Sequence, residues 1–372
     1  MNNILENLKI INQADIRQQG KIKYPLNEII GISFFAMVAG ADDFVEIALF
    51  TKEHKQQLQQ YFPNMKKPPA TSTIQRAFAM LNPTYLQTYQ TQFNELLNTN
   101  QTEKIRKLFH IDGKTQKGNK NKTQKPNHIV SAVDEKGFCI GEELVDDKSN
   151  EISAIPQLVD NLNLKGAIVT IDAMGTQKDI VQKIRQKKAD YILTLKGNQG
   201  SLHEEVGLFF DGPAILAKCA YHKTVGRRGG CVEVREYWQS DKVSWLPMRG
   251  DWVGLRSVVM VCSTVTKPDG VVVVQKRYFI SSLPFNVEFV AGAIRGHWMV
   301  EVMHWYLDVT FGEDACRVLD KVVAFNLNIL RKLVLNTLRL FVVGYRGAGS
   351  LCKKRFVVGC DPVKCFEQIF IL

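Results

Sequence analysis

Three stretches of the sequence carry carboxylates in settings where they could do chemistry. Asp112 ends the apolar run LFHID (108–112) and is followed by Gly113 and Lys114; Asp172 ends AIVTID (167–172) and is followed by Ala173, Met174 and Gly175. In RGHWMVEVMHWYLDVTF, His297, Glu301, His304 and Asp308 stand at i, i+4, i+7 and i+11, one polar stripe on a segment otherwise rich in Trp, Met, Val, Leu, Tyr and Phe. Two neighbouring strands with acids at their carboxyl ends can offer both carboxylates to one hard divalent cation. A glutamate from a late helix completes an Asp-Asp-Glu set suited to two-metal phosphoryl transfer, in which one ion activates a water or hydroxyl and the other stabilises the leaving oxygen. Each feature also has a plainer explanation: Asp favours turns, and a polar stripe serves equally well as the exposed face of an amphipathic helix. A zinc site on His297, Glu301 and His304 lacks the H-E-x-x-H spacing of metalloproteases.

The elements that would hold these residues change character along the chain. Pro25 to Phe50 and Phe44 to Leu58 carry apolar residues at helical spacing, Thr71 or Ser72 can cap a helix TIQRAFAML, and a further helix runs from Pro83 through Leu97. With Gln75 and Arg76 on the capped helix, this region reads either as a helix-turn-helix unit or as a plain helical bundle. From about Lys104 the period shortens. Strands are expected at 108–112, at 167–172, at 190–195 and twice within HIVSAVDEKGFCIGEEL (128–144), with helices at 151–162, 177–188 and 201–210. Three strands in meander followed by alternating helices and strands is the order of a ribonuclease H-like α/β fold, whose ligands sit at the carboxyl ends of strands. Between 211 and 285 the pattern is β-rich (VEVREYWQ, LRSVVMVCSTV, VVVVQKRYFISSL), and helical spacing returns from Val287 to Leu340. The expected organisation is an all-helical domain at 1–103, the first part of an α/β core at 104–210, a β-rich insertion at 211–285, a helical region completing the core at 286–340, and a tail at 341–372.

Composition narrows the partner. Of 372 residues, 48 are Lys or Arg and 37 are Asp or Glu, a net charge of +11 that favours a polyanion, either nucleic acid or an anionic membrane. The longest apolar charge-free run, Ile29 to Ala41, is short of the ~18 residues a membrane span needs, and the N-terminus lacks the pattern of a secretory signal, so a cytoplasmic location is expected. The eight cysteines show no CxxC spacing and read as reduced thiols rather than a zinc ribbon or a disulfide framework. The stretch KTQKGNKNKTQK (114–125) has five lysines and no acid; its polar composition predicts a mobile loop, either a solvated linker or a contact for phosphates. Twelve of the sixteen arginines follow residue 206.

Beyond the three carboxylates, longer motifs are distinctive. HIDGKT (110–115), HIVSAVDEKG (128–137), DDKSNEISAIPQL (146–158), IVTIDAMGTQ (168–177), ADYILTLKGNQ (189–199), RYFISSL (277–283), RGHWMVEVMHWYLDVTFGED (295–314) and NLNILRKLVLN (326–336) together resemble the DDE transposases of bacterial insertion sequences, in particular the H-repeat-associated (ISAs-type) family. The N-terminal GKIKYPLNEIIGISFFAMVAGADDFVEIALF is similar to that family's associated helical domain. The resemblance implies a ribonuclease H-like core that cuts transposon ends with two Mg²⁺ ions, Mn²⁺ being able to substitute, and joins the freed 3′-hydroxyl to target DNA. It assigns Asp112, Asp172 and Glu301 as catalytic metal ligands and Lys114, Lys196, Asn198, His297 and Trp298 as DNA contacts, with His304 and Asp308 in support. The implied partners are double-stranded DNA, as terminal inverted repeats and target, and a second copy of the chain on that DNA; no membrane is implied, and the expected setting is the bacterial cytosol at the nucleoid. Two other readings remain open at this point: an impaired derivative that only binds DNA, and a ribonuclease H-like nuclease without strand transfer.

Overall fold

The computed structural model describes residues 2–98, 107–146, 149–344, 347 and 349–371. The expected domain boundary at 103–104, and Asp147 and Lys148 of the DDKSNEI motif, lie outside the described residues. The N-terminal part is helical: α1 (Asn2–Asn7), α2 (Leu26–Val38), α3 (Phe44–Glu53), α4 (Lys55–Leu58), α5 (Thr71–Met80) and α6 (Pro83–Asn98). The unbroken helical spacing over Pro25–Phe50 hides a break between α2 and α3. There Gly40 adopts φ of +120°, and the Asp43 carboxylate caps α3 by accepting from the backbone N–H groups of Val45 and Glu46, both at 2.8 Å. Neither Thr71 nor Ser72 is the cap of α5: Ala70 holds that position without a side-chain bond, and Thr71 is the first helical residue.

Strands β1 (Leu108–Thr115), β2 (His128–Asp134) and β3 (Cys139–Leu144) form an antiparallel meander, followed by α7 (Glu151–Asn161), β4 (Ile168–Ile171), α8 (Lys178–Gln186), β5 (Asp190–Leu195), α9 (Gly200–Asp211) and α10 (Pro213–Leu216). β4 pairs parallel with β1 and with β5. The β-rich segment supplies β6 (Ala220–Arg228), β7 (Cys231–Ser240), β8 (Ser257–Thr266) and β9 (Val272–Ser281). These four strands form no separate layer. β9 pairs antiparallel with β5, so the order β3-β2-β1-β4-β5-β9-β8-β7-β6 makes one nine-stranded sheet in a mixed α/β fold. β6 has no counterpart among the strands expected from sequence, because AYHKTVGRR lacks an apolar alternation; as the outer edge strand it is largely exposed and basic, which discourages further pairing.

The region with helical spacing from Val287 to Leu340 divides into α11 (Val287–Gly296), α12 (Trp298–Val309) and α13 (Lys321–Leu340), and the tail adds α14 (Leu351–Cys360) and α15 (Pro362–Ile371). Gly312, in the left-handed region at φ of +57°, ends the continuity after α12. Helices α7, α8 and α9 cover one sheet face, with Ile155, Leu158, Ile180, Ile184, Leu202 and Phe210 in that core. The opposite face packs against α11 around Tyr237, Val259 and Phe279, and around Ile129 and Val133 against α12 and α13. The N-terminal helices share this last core: Phe35, Phe78 and Phe93 belong to the same buried cluster as Leu330 and Leu333 of α13 and Phe366 of α15.

A fully buried ion pair ties α13 to the sheet. Lys332 Nζ stands 3.1 Å from Glu142 Oε2, with side-chain exposures of 1% and 0%, and donates to Ser131 Oγ at 2.8 Å. Removing one member strands the other charge in the core, so Lys332→Met is expected to destabilise the protein by roughly 3–5 kcal/mol. The double change Lys332→Met/Glu142→Leu should recover most of that loss in urea denaturation; a single variant as stable as the parent would show that the pair carries no such constraint.

Candidate active site

Asp112 and His110 lie on the same face of β1, and Asp172 follows Thr170 on the corresponding face of β4, because alternate residues of a strand share a face. The Asp172 carboxylate accepts from the backbone N–H groups of Met174 (3.0 Å) and Gly175 (3.4 Å), the local turn that also explains Asp at a strand end. Helix α12 crosses this edge of the sheet, and its polar stripe faces it. His297 Nδ1 lies 2.8 Å from Thr170 Oγ1, His304 Nδ1 lies 3.7 Å from Asp112 Oδ2, and Asp308 Oδ1 lies 2.7 Å from Lys114 Nζ. Successive stripe residues on the helix thus meet successive same-face residues on β1, Asp112 and Lys114.

The carboxylates press on one another. Burial raises the Asp112 carboxyl to about 7, and repulsion from Asp172, Glu151 and Glu301 adds to the shift. Asp172 is raised by burial and by Glu151, against the pull of Lys196. The donor set is therefore all carboxylate oxygen, the hard ligands that a divalent cation takes, and such an ion would invert the sign of the local charge. Among the described residues, no three His, Cys, Asp or Glu side chains already stand at the joint spacing of a metal cluster.

Glu151, absent from the residues singled out by sequence, is the fourth acid. It lies in the first turn of α7, where its Oε1 meets His128 Nε2 at 2.6 Å. The pair packs over the backbone of β1 at Gly113, where a Cβ would collide with the Glu151 carboxylate. An acid in the first turn of a helix is ordinarily explained by the helix dipole, which is why its sequence position carried no signal. The only hint was its place inside DDKSNEI.

Beneath α12, His110 Nδ1 bonds Thr170 Oγ1 at 2.7 Å, so one hydroxyl bridges two imidazoles. Burial takes His110 down to about 3 and His297 to about 4, leaving both rings neutral. His110 Nε2 is buried without a partner, with Gly296 packed flat against that end of the ring. The less costly arrangement places the His110 proton on Nδ1, donated to Thr170, whose hydroxyl donates on to His297 Nδ1. His304 is likewise neutral, pulled down to about 3 by burial and by Lys332.

The residues expected at DNA divide into two groups. Lys196 is exposed beside Asp172, and Trp298 is 41% exposed with the Arg295 guanidinium 5.4 Å over its ring. Lys114 is not available to phosphate: its ammonium contacts Asp308 (2.7 Å), Glu313 (2.9 Å) and Asp314 (3.1 Å), and only 12% of its side chain is exposed. Asn198 donates to the carbonyl of Ala173 at 2.5 Å, bracing the Asp172 turn. The lysine-rich stretch is not a mobile loop but a pinned one. Gln116 and Asn119 are buried, Gln116 donates to Glu313 (3.1 Å), Asn127 donates to the carbonyl of Lys321 (3.1 Å), and Lys117 pairs with Asp314 (3.0 Å).

At this point comparison with known proteins is decisive. Residues 90–337 match the family model described as "Transposase DDE domain", and residues 6–94 match "DDE_Tnp_1-associated". The chain belongs to the DDE transposase family, whose catalytic domain implies a ribonuclease H-like fold. Within that family it groups with H-repeat-associated members. It is 36% identical over 351 residues to "Putative transposase YncI" of Escherichia coli O157:H7, covering 90% of this chain and 87% of that one. It is 31% identical over 363 residues to "H repeat-associated putative transposase YhhI" of Escherichia coli K12, covering 92% and 93%.

Glu313 is the buried anchor of the Lys114 cluster. Burial pushes its carboxyl up, but Lys114, Arg331 and Asn328 together hold it down at about 2. A carboxyl held below its ordinary value of 4.5 adds stability that is fully present above pH 4.5 and is lost as the pH falls towards 2; the shift is worth about 3 kcal/mol. Glu313→Gln should therefore flatten the fall in stability between pH 5 and pH 3 in denaturant titrations. An unchanged slope would mean that Glu313 does not carry the acid sensitivity.

Proposed function

We propose that this protein cleaves the ends of an insertion sequence and transfers the freed 3′-hydroxyls into target DNA. The observation that carries the reading is that Asp112, inside β1 just past its last pairing with β4, stands near enough to Asp172, the residue after β4, and to Glu301 of a late helix for both to raise its carboxyl. Asp112, Asp172 and Glu301 would hold the metal, two Mg²⁺ ions with Mn²⁺ able to substitute. When bound, such ions lower the pKa of an attacking water or 3′-hydroxyl and stabilise the leaving oxygen.

The chain's own residues position this chemistry. His304, neutral and beside Asp112, offers no competing positive charge to that carboxylate. Asp308 fixes α12 to β1 through Lys114, which sets how far Glu301 stands from Asp112. Lys196, exposed beside Asp172, suits a DNA phosphate near the site. The helical domain at 1–103 binds the terminal repeats, the core halves at 104–210 and 286–340 carry the acids, and the segment at 211–285 extends the DNA-facing surface, with the tail at 341–372 packed behind. Two ends must be cut in one event, so the active form is a homodimer on DNA, acting in the cytoplasm at the nucleoid. Among the described residues, no helix is long and apolar enough to cross a membrane.

Asp112→Asn and Glu301→Gln are each expected to abolish Mg²⁺-dependent cleavage of a duplex carrying the element's end while leaving its affinity for that duplex intact. Undiminished cleavage in either variant would overturn the triad. Cleaved ends that never join a target plasmid would reduce the activity to that of a nuclease.

A further inference from the structure

The face of the sheet that presents Asp112 and Asp172 continues outward through the inserted strands. Register carries it from Thr170 to Ile192 on β5, to Ser281 on β9, and by alternation to Phe279 and Arg277. Val261 pairs with Arg277 across β8 and β9, and Ser263 pairs with Arg235 across β7 and β8. α11 covers the inner part of this face, and past Ile294 a cleft of about 60 Å³ opens between the sheet and the start of α12. Its floor includes buried Tyr237 and Phe279, and its rim carries Arg235, Arg277, Arg295 and Trp298, with Glu301 at one end.

Each arginine has a side-chain contact, but only Arg235 has a carboxylate partner. Arg235 pairs with Glu233 at 2.6 Å, and Glu233 also accepts from Ser263 Oγ at 3.1 Å. Arg295 is supported on the Trp298 ring, and Arg277 donates to the neutral Gln275 amide at 3.2 Å. Among the described residues, no carboxylate lies at ion-pair distance from Arg277 or Arg295; burial and the neighbouring Arg235 and Arg228 lower the Arg295 guanidinium, against the more distant pull of Glu233. Fixed guanidinium forks with unspent charge are suited to bidentate contact with phosphate oxygens.

We propose that this cleft is a binding pocket for a single phosphodiester of the DNA strand lying next to the Asp112–Asp172–Glu301 site, held by Arg235, Arg277 and Arg295. The inference rests on the reading of DNA as substrate. Because Glu301 borders both places, a strand seated in the pocket is led directly to the carboxylates, and the inserted strands become a substrate clamp built from the same sheet.

The test is equilibrium binding of a mixed-sequence 30-base-pair duplex in EDTA, so that cleavage plays no part, measured across a salt series. Arg277→Ala/Arg295→Ala is expected to bind about tenfold more weakly and to reduce the slope of log affinity against log salt by about two. Arg277→Lys/Arg295→Lys, which keeps both charges, should restore the slope. The control is Lys242→Ala/Arg249→Ala, an equal loss of charge on exposed residues beside Trp245 and Met248, which pack against the core of the opposite sheet face. If the arginine-to-alanine pair behaves like this control while the parent protein binds DNA, the pocket is overturned and the transposase reading stands. A parent protein with no affinity for DNA overturns both. If the alanine pair melts at a lower temperature than the parent, the lysine pair decides: parent-like melting with a slope that remains reduced by two also overturns the pocket.

Discussion

Every residue of α13 from Val323 to Leu338 is buried, and six of them, Asn326, Asn328, Arg331, Lys332, Asn336 and Thr337, are polar or charged. A buried polar group left without a partner costs on the order of 1–3 kcal/mol, and a buried charge costs more, so the elements around this helix must arrive in register with it. Asn326 donates to the carbonyls of Phe78 and Leu81, which fixes the end of α5. Asn336 bridges Asn94 of α6 and the carbonyl of Cys139 on β3. Lys332 meets Ser131 and Glu142 on the sheet, and Asn328 reaches Glu313 beyond α12. The helix acts as a common spine: the N-terminal helices, the sheet and the segment after α12 are each referred to it by directional bonds, which hydrophobic packing alone would leave free to slide.

That spine bears on the site through Glu313. Lys114 stands two residues beyond Asp112 on the same face of β1, and its ammonium joins Asp308 on α12 to Glu313, which Asn328 holds from below. The position of Glu301, two turns before Asp308, is therefore fixed by a chain of contacts that starts in the core. Such a frame is needed because the site opposes its own assembly: Asp112 is raised to about 7 by burial and by its neighbouring acids. A looser scaffold would let the carboxylates separate. Lys114, expected from sequence at DNA, is in the structure a brace between α12 and β1 beside the acids.

Much of the core was legible because its signals are local. A strand stopping just before Asp172, a polar stripe at helical spacing on α12, and the meander followed by alternating helices and strands all depend on residues close in sequence, whereas β1 runs past the expected end at Asp112 to Thr115 because pairing with β2 carries it on. What stayed hidden depends on partners far away. Lys114 and Glu313 are 199 positions apart, so nothing near Lys114 shows that its charge is already engaged, and the polar loop after it reads as mobile although it is pinned to residues beyond 312. Glu151 was masked by a sufficient local explanation, the helix dipole. The edge strand β6 was missed because its Lys and Arg residues, which protect the sheet edge, erase the alternation by which a strand is recognised.

The surplus of arginine after residue 206 acquires a physical account in the structure. Arg331 and Arg355 are buried: Arg331 donates to the carbonyl of Asp42, and Arg355 binds the carbonyls of Met37, Ala41 and Thr310 and the Asp42 carboxylate at 2.7 Å, tying the tail and the end of α12 to the N-terminal helices. Arg228, Arg235, Arg277 and Arg295 gather instead around the β6–β9 part of the sheet, where Arg277 and Arg295 have no carboxylate at ion-pair distance among the described residues. Both uses exploit the same property. A planar, weakly hydrated guanidinium can be partly desolvated and still present several donors in fixed directions, whereas lysine's ammonium is a compact and strongly hydrated charge. The net +11 is therefore not spread evenly as a solubilising coat. Lysine serves where one ammonium meets carboxylates, as Lys332 and Lys114 do, and arginine where several directed donors are needed, as at Arg355, which ties the tail to the N-terminal helices.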